Sequence, residues 1–177
     1  LSACHASMDR GDTGYTSSYG LHELRRAIAK DIANNYQVEY DPASEILVTV
    51  GVSEALDLAM RALLSPGDEV LIPEPCYVAN RACIVLAGGV PVPVETFAEE
   101  EFVVKPERIR QAITPRTKAI MIGYPNNPTG AIMTREELLA IAKIAEEYDL
   151  LVISDELYAH LTYEGTHACF SSLPGMK

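Results

Sequence analysis

Four short stretches carry side chains suited to chemistry. In LLVISDELYAHL (150–161) an apolar run closes on the acidic pair Asp155 and Glu156. A carboxylate beside a dry interior is costly to leave unpaired. No Lys or Arg lies between Lys143 and Lys177, so a bound ligand could supply the cationic or hydrogen-bonding partner that Asp155 needs. Tyr158 would face the same space if a helical turn follows. In YPNNPTG (124–130), Pro128 restricts the residue before it, leaving Asn127 little freedom. Its amide reads as a hydrogen-bonding group held in one orientation. A plain turn ahead of a capped helix explains Pro128, Thr129 and Gly130, but explains the paired asparagines less well.

The third stretch is TVGVSEAL (49–56). Gly51 permits a tight turn, and a helix starting near Ser53 would present the N–H groups of Val52, Ser53 and Glu54, an anion site reinforced by the helix dipole. The plainer alternative makes Ser53 an ordinary N-cap. The fourth stretch, PEPCYV (73–78), sets Tyr77 at the start of a helix. There its ring could cover a planar ligand or simply pack on its own sheet.

These stretches need elements to position them. The apolar runs ILVTV (46–50), EVLIP (69–73), VPVPVE (90–95), KAIMIG (118–123) and LLVIS (150–154) are nearly continuous in hydrophobicity, as strands buried on both faces should be. Helices are expected between them. Leu56, Ala59, Met60 and Leu63 share one helical face; Leu138, Ile141, Ala145 and Tyr148 share another, behind a capping box of Thr134 and Glu137. Pro106 suits a helix first turn, and Leu21, Leu24, Ile28 and Ile32 mark an earlier helix. The acidic stretch 95–103 reads as a solvated turn. The expectation is one α/β domain over residues 1–177, a mostly parallel sheet flanked by helices, with ligands gathering at the carboxyl ends of the strands.

Composition agrees with a globular chain: 177 residues, 48% hydrophobic, 22% charged. A net charge of −11 argues against a nucleic-acid or anionic-membrane partner held by bulk electrostatics. Cys4, Cys76, Cys83 and Cys169 show no CxxC spacing, and His5, His22, His160 and His167 show no ligand spacing, so no metal is expected. A thiol-containing cytoplasmic protein is the simplest reading. The chain opens on Leu1 rather than Met, which reads as a piece of a longer protein.

Taken in order, YTSSYGLHELRRAIA, VTVGVSEAL, LLSPGDEVLIPEPCY, LAGGV, ITPRTKAIMIGYPNNPTG and ISDELY resemble the class I/II aminotransferases, fold-type I enzymes that use pyridoxal 5′-phosphate (PLP). The resemblance implies most of the large cofactor domain of an amino acid:2-oxo acid aminotransferase, of aspartate or aromatic type, homodimeric in its full length. It implies that Gly51, Val52 and Ser53 hold the cofactor phosphate and that Tyr77 stacks on the pyridine ring. Asn127 and Tyr158 would approach the phenolic oxygen, and Asp155 would pair with the ring nitrogen. Tyr15 matches a tyrosine that reaches a neighbouring subunit's phosphate, although a surface Tyr packing near Tyr19 is an alternative. By the same resemblance Asn127–Pro128 and Glu74–Pro75 are expected to be cis.

The family's Schiff-base lysine, its phosphate-gripping arginine, its N-terminal arm and its small domain have no match in these residues, so the chain alone is expected to be inactive. The strand expected at 46–50 would lack its family neighbours and stand as an unpaired edge. Two alternatives remain: a PLP-dependent C–S lyase on the same scaffold, or the aminotransferase-like sensor domain of a transcriptional regulator.

Overall fold

A computed structural model describes residues 1–177. The chain divides into two compact units, Leu1–Thr49 and Val50–Lys177. The first holds α1 (Ser2–Asp9) and α2 (His22–Tyr36). The expected apolar stripe of α2 is not buried: Leu21 and Leu24 are exposed, and Arg25 is the buried residue of the helix. Its guanidinium donates to the carbonyls of Pro42 (2.5 Å) and Ala43 (3.1 Å) and lies over the Tyr19 ring. Gly20 is required by close approach, because a Cβ there would meet Val48 Cβ at 2.6 Å.

The expected strand at 46–50 is corrected: it forms no ladder. Extended apolar backbone becomes a strand only beside a partner strand, and this segment has none; the Val48 N–H is bonded instead to the Tyr19 carbonyl at 3.0 Å.

The second unit is a four-stranded parallel sheet in the order β2-β1-β3-β4. The strands are β1 (Glu69–Glu74), β2 (Val90–Glu95), β3 (Thr117–Gly123) and β4 (Leu151–Asp155), alternating with α3 (Gly51–Leu63), α4 (Val78–Leu86), α5 (Pro106–Ala112) and α6 (Arg135–Glu147). Burial on both faces holds for the central strands β1 and β3. The edge strands β2 and β4 are more open, each having a neighbour on one side only.

Strand alternation sorts the core into two halves. Val70 and Ile72 of β1, with Ala119 and Met121 of β3, pack against Leu56 and Met60 of α3 and Cys83 and Ile84 of α4. Leu71, Ile120 and Ile122 face the other way, onto Ile109 of α5 and Leu138, Ile141 and Ile144 of α6. Helix ends escape the expected stripes: Leu63 and Tyr148 are exposed, and the Tyr148 ring lies under Arg110 at 5.8 Å. The stretch 95–103 is more than a solvated turn. Arg108 pairs with Glu100 and lies 4.6 Å over the Phe97 ring, and Val103 is buried.

Candidate active site

The carboxyl ends of β1, β3 and β4 converge with the start of α3 on one cavity of about 380 Å³. Gly51, Val52, Ser53, Tyr77, Asn127, Asp155, Leu157 and Tyr158 line it. The structure therefore brings together seven of the eight residues singled out from sequence. The eighth, Tyr15, belongs to the other unit and is fully exposed.

Each lining group has a local cause. The chain enters α3 through Gly51 at φ +79°, a conformation costly for any residue with a side chain. The helix starts two residues earlier than expected: Val50 is the N-cap, with no side-chain cap bond, and Ser53 sits in the first turn. The N-cap reading of Ser53 is thereby corrected. First-turn N–H groups of a helix have no partner within it, so the backbone of Val52 and Ser53 brings donors to the cavity wall. Tyr77 is the N-cap residue of α4, is 38% exposed, and lines the cavity.

The loop after β3 is braced from within. Asn126 Oδ1 accepts from the Thr129 N–H (3.2 Å) and hydroxyl (2.9 Å), its Nδ2 donates to the Gly123 carbonyl (3.3 Å), and its backbone N–H donates to the Ala131 carbonyl (2.8 Å). One of the two asparagines thus builds the loop while the other, Asn127, is left exposed with no side-chain bond inside the protein. Tyr124 anchors the same loop: its hydroxyl donates to the Phe102 carbonyl (3.1 Å) and accepts from the Val104 N–H (3.2 Å). Burial pushes its phenol up to about 12. The Glu74–Pro75 and Asn127–Pro128 bonds are cis, as expected, and so is Tyr124–Pro125.

Asp155 is the last residue of β4 and half-buried. Its Oδ1 accepts from the Leu157 N–H at 3.1 Å, which folds the turn that carries Tyr158. No cation lines the cavity. A carboxylate, an amide, two phenols and a serine hydroxyl thus converge without a counter-charge, which leaves Asp155 open to a cationic or hydrogen-bonding ligand.

Two features were missed from sequence. Beneath the cavity lies a void of about 20 Å³, lined in part by Asn80, Cys76 and Asp155. Asn80 is buried, and its Oδ1 has no partner. The other is Glu156, which accepts from His167 Nε2 at 2.6 Å. Burial pushes its carboxyl up, but hydrogen bonds from His167, Phe170 and Ser154 outweigh that and hold it below the usual range. Spacing does not single out this partner, because His160 lies nearer to the acidic pair than His167.

Among known proteins, the profile described as Aminotransferase class I and II matches residues 2–174. The chain belongs to that family. It is 46% identical over 165 residues to the aspartate/prephenate aminotransferase of Thermus thermophilus, covering 93% of this chain and 43% of that protein. To the aspartate aminotransferase of Geobacillus stearothermophilus it is 46% identical over 179 residues, covering 100% of this chain and 45% of the relative. The fold superposes with a TM-score of 0.94 and 41% identity on the aromatic aminotransferase of Pyrococcus horikoshii, over 97% of this chain and 46% of that one. The chain thus spans less than half the length of the relatives it matches.

Proposed function

We propose that this chain is the larger part of the cofactor domain of a PLP-dependent aminotransferase, which moves an amino group between an amino acid and a 2-oxo acid. The observation that carries the reading is the meeting of seven predicted residues from four separate loops on one cavity. The donor set fits the cofactor. Val52 and Ser53 offer N–H groups and a hydroxyl to a phosphate, and Tyr77 offers a ring face. Asn127 and Tyr158 offer donors to the phenolic oxygen, and Asp155 offers a carboxylate to the ring nitrogen. The volume, about 380 Å³, lies within the usual range for small-ligand pockets.

When bound, PLP supplies an electron sink for a bond broken at the substrate α-carbon. Asp155 would hold a proton on the ring nitrogen, favoured because an opposite charge a few ångströms away stabilises the protonated form. The braced loop around Asn126 orients Asn127 before any ligand arrives, so little ordering remains to be done on binding. Exposed Tyr15 is assigned to the phosphate of a neighbouring subunit in a homodimer. The Schiff-base lysine has no counterpart here: none of Lys30, Lys105, Lys118, Lys143 and Lys177 lines the cavity. The 177 residues alone are therefore assigned no turnover.

The test is transamination by the full-length enzyme to which this chain is assigned. Asp155→Ala should lower the rate by about 100-fold or more, the scale of losing one preorganised electrostatic contact, with PLP still bound. Near-normal turnover would refute the assignment.

A further inference from the structure

Glu156 follows Asp155 but is absent from the cavity wall, as expected where successive residues of an extended chain point to opposite sides. Its side chain reaches back into the protein. Oε2 accepts from His167 Nε2 at 2.6 Å, while Oε1 accepts from the Phe170 N–H at 2.8 Å and the Ser154 hydroxyl at 2.9 Å. An ionised carboxylate only accepts, so all three bonds run toward it.

The segment that supplies two of these donors is firmly held. Phe170 and Leu173 are buried in the core beside α6. Arg135 of α6 donates to the Ser172 hydroxyl (3.0 Å) and carbonyl (3.2 Å), and the Ser172 hydroxyl donates to the Cys169 carbonyl at 2.6 Å. On the cavity side the turn depends on few bonds: Leu157 N–H to Asp155 Oδ1, Ala159 N–H to the Glu156 carbonyl, and Leu161 N–H to the Tyr158 carbonyl. Those bonds shape the turn but do not fix it to the body of the protein. The Glu156 side chain does, from the position between Asp155 and Leu157, both of which line the cavity.

We propose that Glu156 is a positioning residue: it clamps the Asp155–Tyr158 turn to the His167–Phe170 segment and so sets both side chains toward the cavity. The ligand side of this inference rests on the aminotransferase reading above; the clamp itself does not. Gln can replace Glu with little loss, because its oxygen serves Phe170 and Ser154 while its NH2 meets His167 Nε2 as an acceptor in the other tautomer. Leu can serve none of the three donors.

The experiment compares Glu156→Leu and Glu156→Gln in the full-length enzyme by amide hydrogen exchange and by the affinity of the apoenzyme for pyridoxamine 5′-phosphate, which binds without a covalent anchor. In Glu156→Leu, exchange at residues 157–161 should rise about tenfold or more and affinity should fall about tenfold or more, with β1 and β3 amides unchanged. Glu156→Gln should stay within about threefold on both. Unchanged exchange in Glu156→Leu would overturn the clamp. Raised exchange with unchanged affinity would reduce Glu156 to a merely structural role and overturn the positioning claim. Should the Leu variant fail to fold, His167→Phe removes one donor and should move both readouts in the same direction by about threefold; no movement overturns the proposal equally. A wild-type apoenzyme that does not bind the probe would sink the aminotransferase reading instead, while the exchange comparison still decides the clamp.

Discussion

Gly123 and Asp155 sit opposite each other in the parallel register of β3 and β4. Both strands therefore leave the sheet at one level, and the loop carrying Asn127 emerges beside the turn carrying Tyr158. Two chain segments distant in sequence meet at the cavity because their strands end in step.

The entry to α3 is the first point of test. Gly51 has open space around it, since nothing lies within 4 Å of an added Cβ. Only its left-handed backbone demands glycine. Gly51→Ala should therefore cost about 1–2 kcal/mol, read as a lower denaturation midpoint of the full-length protein and, on the aminotransferase reading, as weaker cofactor retention. Unchanged stability would mean the turn is not needed in this form.

Tyr124 predicts an alkaline sensitivity. Its folded pKa, about 12, lies above the ordinary value of 10.0, so the unfolded chain ionises first as pH rises. The stability linked to this group is complete below pH 10.0 and is lost as pH climbs through about 12. Tyr124→Phe should remove that share of the alkaline loss. It should also cost about 1–3 kcal/mol at neutral pH, because the Val104 N–H and Phe102 carbonyl lose their partner. Parallel stability curves for the two proteins from pH 9 to 12 would contradict the assignment.

Much of this was legible in sequence because the signals were local and the periods strong. The capping box on α6 is present with both reciprocal bonds, and the apolar runs of β1 to β4 read directly as strands, buried on both faces only in β1 and β3. Segment 46–50, expected to stand without its family neighbours, forms no strand at all, because strand propensity describes the residues, whereas a ladder needs a neighbour. Leu63 and Tyr148 misled because a helical stripe does not say where a helix leaves the core. Within the site, residue types pointed to Asp155, Asn127 and Tyr77. The division of labour between Asn126 and Asn127, and the pairing of Glu156 with His167, depend on how loops fold back, which no spacing encodes.

The capping box gives a prediction of its own. Thr134 Oγ1 accepts from the Glu137 N–H at 3.3 Å, and the Glu137 carboxylate accepts from the Thr134 N–H at 2.8 Å. Thr134→Ala should lower stability by about 1 kcal/mol, and Thr134→Ser should restore most of it. Equal denaturation midpoints for Thr134→Ala and wild type would show the cap to be idle.

Acid should act through Glu156. Burial raises its carboxyl pKa, and the bonds from His167, Phe170 and Ser154 more than reverse that, leaving the folded value below 4.5. The sign follows: its stabilisation is complete above pH 4.5 and is lost as pH falls through the folded value. The gap in urea midpoint between wild type and Glu156→Leu should narrow on acidification across that window. A gap that stays constant would show that the carboxylate's charge contributes nothing.

On the proposed aminotransferase reading, Asp155 keeps a proton on the ring nitrogen of the cofactor. This is tested most directly by nitrogen NMR of the full-length enzyme loaded with PLP labelled at that nitrogen. The wild type should give the signal of a protonated pyridinium, and Asp155→Ala that of the neutral ring, with the cofactor bound in both. A neutral signal in the wild type, or the same protonated signal in both proteins, would contradict the account.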